Sequence, residues 1–309
     1  MSFKAPHIES RINTLLTMLT YKRPARSESE EAFIARYITS LGTLPDGYGN
    51  YWLTIGDSPI LWSSHTDTVH KTPGMQKVVF GDGIATVHNG ECLGADCTAG
   101  VWLMRQMILA GIPGTYVFHR DEEIGGKGSQ YIATKTPDRL RGIDFAIAFD
   151  RQGDSDVITH QAYGRTASDE FARSFSTAIG IKSLKPCGKG IFTDTANYSH
   201  LVSECSNISV GYYDNHRPAE MLDVNFLSCL LSCILTADFR TLACSRDPNR
   251  DEYEGGYGFD DRGPFVDLQT PRGSGLEEFA FEHPEIVARF IEEMGYSVDD
   301  LYAYVESPR

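Results

Sequence analysis

The sequence predicts a three-layer α/β/α fold with a mixed, mostly parallel central sheet and a small C-terminal appendage. Three observations lead there. Apolar runs such as "TYVFH" (115–119) and "DFAIAF" (144–149) alternate with helical stretches, and strands that alternate with helices build largely parallel sheets covered on both faces. With 309 residues, 41% of them hydrophobic and 23% charged, the chain holds enough apolar material for one large core. Near residue 245 the composition turns to Gly, Asp, Arg and Pro in "SRDPNRDEYEGGYGFDDRGPFVDLQTPRGSG", which marks a boundary. A main domain is therefore expected over 1–245, with an extended arm and a short helical appendage over 246–309.

The elements follow in order. Ile12, Leu15, Leu16 and Leu19 recur at helical spacing. Ile34, Tyr37, Ile38 and Leu41 mark a second helix, opened by a capping box at Ser27 and Glu30 and closed by Gly42. "YWLTI" (51–55), "PILWSS" (59–64), "KVVF" (77–80) and "IATVH" (84–88) read as strands or hairpin arms. Residues 98–111 read as a helix, 115–119 as a buried strand and 128–134 as a short helix. Another buried strand at 144–149 precedes a helix over 167–180, a strand over 207–213 and a final long helix over 219–242. In the appendage, Pro284 opens a helix that Gly295 ends, and Ser297 and Asp300 cap a further short one.

Charge narrows the partners. A net charge of −14 opposes binding to nucleic acid or to an anionic membrane. No run approaches the roughly 18 apolar residues of a membrane span, and the first residues lack a secretory pattern, so a cytoplasmic protein is expected. Seven cysteines without a CxxC pair suggest reduced thiols. Cys229 and Cys233, four apart in an apolar helical stretch, read as small core residues.

Open parallel sheets bind ligands beyond the carboxyl ends of their strands. After "PILWSS" come His65 and Asp67. Asp96 stands just ahead of a helix in "ECLGADCTAG". After "TYVFH" come Asp121, Glu122 and Glu123, after "DFAIAF" comes Asp150, and after "NISVGYY" come Asp214 and His216. Singly each has a plain reading. Asp96 suits a helix N-cap, Asp150 with Arg151 a surface ion pair, the glutamates a helix N-terminus, and either histidine a structural role. Five elements delivering such groups to one rim make those readings poor together. Two histidines with several carboxylates suit zinc, with cobalt or manganese as alternatives. Five ligands suffice for two ions bridged by one carboxylate. Adjacent glutamates can then divide the work, one binding metal and the other moving a proton.

These segments resemble the co-catalytic two-zinc exopeptidases, the group of zinc aminopeptidases, peptidase T and glutamate carboxypeptidases. "SSHTDTV" resembles their first-ligand motif, "GADCTAG" their Gly-Ala-Asp-Asp motif and "DEEIGGKGS" their Glu-Glu motif. "FTDTANYSHLVSECSNISVGYYDNHRPAEML" resembles the segment around their last histidine. The resemblance covers about residues 8–243, in the family's order. It implies that His65 and Asp150 hold one zinc, Glu123 and His216 the other, and that Asp96 bridges them. It implies Glu122 as general base and acid, and Asp67 as the partner of the far nitrogen of His65.

The resemblance further implies hydrolysis of short peptides, first as an aminopeptidase. A carboxypeptidase, dipeptidase or N-acyl amino-acid deacylase would use the same centre. The reading from another class is a metal-binding homologue without turnover. The substrate would be a peptide or acyl-amino acid; a homo-oligomer stays open. Two departures stand out. Cys97 replaces the family's second aspartate, which predicts an altered metal affinity or an oxidisable thiol. The gap from Asp150 to His216 is too short for the inserted lid of some members, so a lidless single-domain form is expected. Arg165 in "YGRTAS" is a candidate for a substrate carboxylate, and Asp194 in "FTDTAN" for orienting substrate. His119 is a candidate supporting residue. His7, His70, His88, His160, His200 and His283 read as structural or solvated.

Overall fold

The computed structural model describes residues 8–161, 164–250 and 284–293. The chain divides into one unit of residues 1–251 and a second of residues 252–309. In the first unit the strands of the two larger sheets are β1 (Leu44–Pro45), β2 (Tyr51–Ile55), β3 (Ile60–His65), β4 (Val78–Gly81), β5 (Ile84–Val87), β6 (Gly114–His119), β7 (Phe145–Arg151), β8 (Asp156–Ile158), β9 (Lys185–Cys187), β10 (Glu204–Ser209), β11 (Tyr212–Tyr213) and β12 (Met221–Asp223). Beside them Tyr21–Lys22 pairs with Gly74–Met75, and His160–Gln161 with Gly164–Arg165. Its helices are α1 (Ile8–Met18), α2 (Glu28–Tyr37), α3 (Ala95–Ala110), α4 (Lys127–Lys135), α5 (Asp169–Ile179) and α6 (Val224–Ile234).

Eight strands form the main sheet in the order β9-β8-β10-β7-β3-β6-β2-β1. The central four, β10, β7, β3 and β6, run parallel, so their carboxyl ends share one edge. The flanking β8 and β2 are antiparallel to them. The sheet is thus mixed, with a parallel heart. Side chains alternate between its faces. Ile60, Trp62, Tyr116, Phe118, Phe145 and Ile147 pack on one side with apolar residues of α1, α2, α3, α5 and α6. Leu61, Val117 and Ala146 pack on the other with Ile132 of α4 and with Tyr198. Both faces being covered, the near-continuous apolar runs of β3 and β7 follow. A second sheet, ordered β11-β12-β5-β4, is antiparallel throughout. The residues between Asp150 and His216 belong to the same unit as the rest of this domain.

Several boundaries differ from the sequence expectation. The strand expected over 207–213 is two. The chain leaves the main sheet after Ser209, turns at Gly211 in the left-handed region (φ +91°), and joins the second sheet at Tyr212. The helix expected over 219–242 is shorter. Met221–Asp223 pairs with β5, and α6 starts only where Asp223 caps it by accepting from the Phe226 amide at 2.9 Å. The capping box is half realised. Ser27 accepts from the Glu30 amide, but the Glu30 carboxylate accepts from the amide of Arg26, not of Ser27, because Arg120 and Thr66 also hold it. Cys229 is exposed and Cys233 half-buried, since both lie off the apolar stripe of Leu227, Leu230, Leu231 and Ile234. All seven thiols are free.

In the second unit the described element is α7 (Pro284–Glu293), which Pro284 opens. The helix expected after Ser297 and the extended arm from 251 lie outside the described residues. No helix among the described residues is long and apolar enough to cross a membrane.

Candidate metal centre

The parallel strands end where the sequence puts its acids and histidines. His65 is the last residue of β3, His119 the last of β6, and Asp150 lies next to the end of β7. Register levels His65 with His119 across the β3–β6 pair. Asp96 enters from the start of α3, where the backbone at Asp96 (φ −77°, ψ 106°) and Cys97 is not yet helical, and the bond between them is cis.

These groups converge. His65 Nε2 lies 3.0 Å from Asp96 Oδ1 and 3.2 Å from Asp150 Oδ1. His216 Nε2 lies 3.1 Å from Asp96 Oδ2 and 3.5 Å from Glu123 Oε2. The two oxygens of Asp96 therefore face different histidines. Three overlapping groups among the described residues could each take an ion: His65 with Cys97 and Asp150, His65 with Glu122 and Glu123, and Asp96 with Glu123 and His216.

Asp67 is fully buried, and its position answers why two glutamates follow a strand end. Its Oδ1 accepts from the Glu122 amide (3.2 Å) and its Oδ2 from the Glu123 amide (3.1 Å). The far nitrogen of His65 faces the carbonyl of Asp67 at 3.1 Å, closer than its carboxylate at 3.5 Å. Beyond Glu123 the chain turns away at Gly125 and Gly126, both left-handed (φ +103° and +62°). A Cβ on Gly126 would sit 2.5 Å from the Phe192 ring, so this bend requires glycine twice over.

Electrostatics match a cluster that attracts a cation. Burial opposes a charged His65, yet Asp150 and the other acids beside it raise its pKa well above the usual value. His216 is raised likewise, against burial, by Glu123 and Asp96. Burial pushes Glu122 well up, helped by Glu123 and Asp150, and raises Asp150 to about 7, helped by Asp96. Carboxylates outnumber imidazoles here, and the buried Glu123 Oε1 has no hydrogen-bond partner. Such an orphan acceptor in an acidic hollow fits a divalent ion.

The Cys97 thiol also lies within ligand distance of His65 and Asp150, but it is engaged. It donates to the Phe149 carbonyl (3.1 Å) and sits 2.9 Å from Ser64 Oγ. It is fully buried, and burial and Asp150 push its pKa up. The expected oxidisable thiol is therefore not what the fold presents.

Asp194 and His119 form a buried pair beside the site. Asp194 Oδ2 is 3.3 Å from His119 Nδ1, and His119 Nε2 is 2.6 Å from the Tyr198 hydroxyl. Burial lowers His119 to about 3, so it stays neutral, and raises Asp194 to about 8. Arg165 is not brought to the site. It pairs with Asp169 (3.2 Å), and the carbonyl of the next residue, Thr166, bonds Cys205. Cys205 is level with Ala146 and Leu61, roughly 13 Å back from His65 at about 3.3 Å per residue.

Four supporting residues lie within the quoted segment around His216, where nothing singled them out. The Thr193 hydroxyl donates to Asp150 Oδ2 at 2.8 Å. Asn207 holds the Asp150 backbone through both its amide and its carbonyl. Asn215 Nδ2 donates to Asp96 Oδ2 at 3.0 Å. Glu220, buried, accepts from backbone amides just ahead of and at Asp96.

No protein-family model and no curated protein matches the chain. Solved structures do. A tripeptidase from Staphylococcus aureus subsp. aureus Mu50 is 14% identical with a TM-score of 0.62, covering 74% of this chain and 96% of its own. Aminopeptidase PepT from Bacillus cereus ATCC 10987 is 14% identical with a TM-score of 0.60, covering 74% and 97%. An aminopeptidase from the archaeon Desulfurococcus kamchatkensis is 12% identical with a TM-score of 0.56, covering 74% and 94%. At this identity the likeness is one of architecture: the chain has an α/β/α fold similar to that of these peptidases, and its acids and histidines gather at the carboxyl edge of the shared sheet.

Proposed function

We propose that the chain is a metal-dependent exopeptidase and, within that class, an aminopeptidase of short peptides, with residues 1–245 as its catalytic domain. The observation that carries this reading is the convergence of His65, Asp96, Glu123, Asp150 and His216 on a buried, acid-rich hollow with an orphan acceptor on Glu123. His65 and Asp150 would hold one divalent ion, Glu123 and His216 the second, and Asp96 would bridge. Zinc is favoured, with cobalt or manganese as alternatives. Ions bound there would supply Lewis acidity and lower the pKa of water.

The protein's own groups do the rest. Glu122, beside the proposed ligands and with its pKa raised by burial, would take a proton and pass it to a departing amine. Asp67 aims both glutamates by holding their amides. Thr193, donating to Asp150, keeps one of that residue's oxygens engaged and leaves the other facing His65. Asp194 and His119, paired with each other and with Tyr198, would support the neighbouring ligands.

The test is metal content of the purified full chain by plasma mass spectrometry, with Asp96→Ala alongside, followed by free and N-blocked peptides. About two ions per chain, lost in the variant, with cleavage of free peptides, is expected. Cleavage only of N-blocked substrates replaces the aminopeptidase with a carboxypeptidase or deacylase. Bound metal with no turnover on any substrate favours the metal-binding homologue. A chain that holds no metal after added zinc overturns the reading.

A further inference from the structure

We infer that Glu220 is a positioning residue for this centre, holding Asp96 in place for the second ion; the inference rests on the metal-dependent reading above. Glu220 follows His216 by four residues, is 1% exposed, and reaches back to the start of α3. Its Oε2 accepts from the Gly94 amide (2.9 Å), and its Oε1 from the amides of Ala95 (2.8 Å) and Asp96 (3.2 Å).

Three successive amides at a helix start have no intrahelical acceptor, and no side-chain cap serves this one. The non-helical backbone at Asp96 and Cys97 interrupts the first turn. A carboxylate placed there satisfies all three donors and is favoured by the helix dipole. The loop is fitted to that arrangement. Gly94 is left-handed (φ +69°), and a Cβ there would lie 2.9 Å from the His70 ring.

The consequence for the centre is specific. Asn215 and His216 both reach Asp96 Oδ2, from the turn that also carries Glu220. Glu220 therefore fastens the backbone of Asp96 to the turn that supplies His216. Two of the three groups for one ion are joined by direct protein contact before an ion arrives. His65 and Asp150 stand on β3 and β7, whose positions the main sheet sets without Glu220. Because Asp96 serves both ions, loss of Glu220 should weaken both, but the one held by Glu123 and His216 more than the one held by His65 and Asp150; a general structural role would weaken them alike.

Calorimetric titration of zinc into metal-stripped full-length protein tests this, comparing wild type, Glu220→Gln and Glu220→Asp. Gln keeps the size but turns an NH2 group toward donors. Expected for Gln is unequal weakening, one ion losing about tenfold or more in affinity relative to the other, with Asp, which keeps the charge, recovering part of the loss. Equal weakening of both ions, or wild-type affinity for both, overturns the proposal. Should Gln fail to fold, amide hydrogen exchange on metal-free wild type decides. Protected Gly94 and Ala95 amides support a clamp formed before metal, and freely exchanging ones overturn it. Wild type that binds no zinc removes the metal reading and this proposal together, whereas an unselective variant removes the proposal alone.

Discussion

Replacing Asp67 with Asn removes one charge from a side chain that touches no solvent. The wild-type carboxylate gives one oxygen to the Glu122 amide and the other to the Glu123 amide. An asparagine offers a single acceptor, so one of these buried amides must face an NH2 group. A buried donor left without a partner costs about 1–3 kcal/mol. For a domain of this size each kcal/mol moves Tm by about 2–4 °C. Thermal unfolding of metal-free Asp67→Asn should therefore fall by about 2–12 °C. The same change loosens Glu122. Since misplacement by about 1 Å can cost about a hundredfold in rate, kcat on a cleaved peptide should fall by that order with zinc restored. Asp57→Asn, on the exposed surface, is the control. A Tm within about 1 °C of wild type and a kcat within about twofold would refute the idea that Asp67 aims the two glutamates.

Glu122→Gln should keep both ions by metal analysis while losing about 10²–10⁴-fold in kcat, and unchanged turnover would remove Glu122 from the chemistry. Cys97→Ser preserves a donor toward the Phe149 carbonyl and should leave folding and metal content close to wild type. Cys97→Asp sets a carboxylate against that carbonyl and should unfold more readily by several kcal/mol, as about 3–5 kcal/mol is typical for an uncompensated buried charge; a stable Cys97→Asp refutes this view of the pocket. His70 is buried, and burial lowers its pKa from 6.5 to about 4. The unfolded chain takes this proton first, so the stability is complete above pH 6.5 and is lost as pH falls toward 4, by about 3 kcal/mol at about 1.4 kcal/mol per unit. Denaturant unfolding across that range should show a steeper acid loss in wild type than in His70→Gln, and equal slopes would contradict it.

Much of the centre was legible because a parallel sheet turns sequence position into spatial position. A residue just past a buried strand must stand at one edge. His65, Glu122, Glu123 and Asp150 therefore announced themselves from the ends of "PILWSS", "TYVFH" and "DFAIAF". The alternation of Ile60, Leu61 and Trp62 between two cores likewise follows from a period of two, which local sequence carries. The 207–213 segment misled for a related reason. Its apolar run continues through Val210 and Tyr212, while the change of sheet at Gly211 depends on partners far away in sequence.

The sequence by itself determined the layered α/β class, the strand ends and the residue types placed on them, since these depend on spacing along a few neighbouring residues. Only the tertiary structure decided which of those residues meet. Arg165 carried the right charge but lies well back along the sheet, because β8 runs antiparallel to β10 and leads the paired segments His160–Gln161 and Gly164–Arg165 away from the site. The Cys97 thiol, beside His65 and Asp150, donates to the carbonyl of Phe149. Glu220 acts on amides 124 to 126 positions earlier in the chain. Hydrogen bonds of that range leave no periodic trace in a sequence; they exist only once the packed strands bring distant turns within 3 Å of each other.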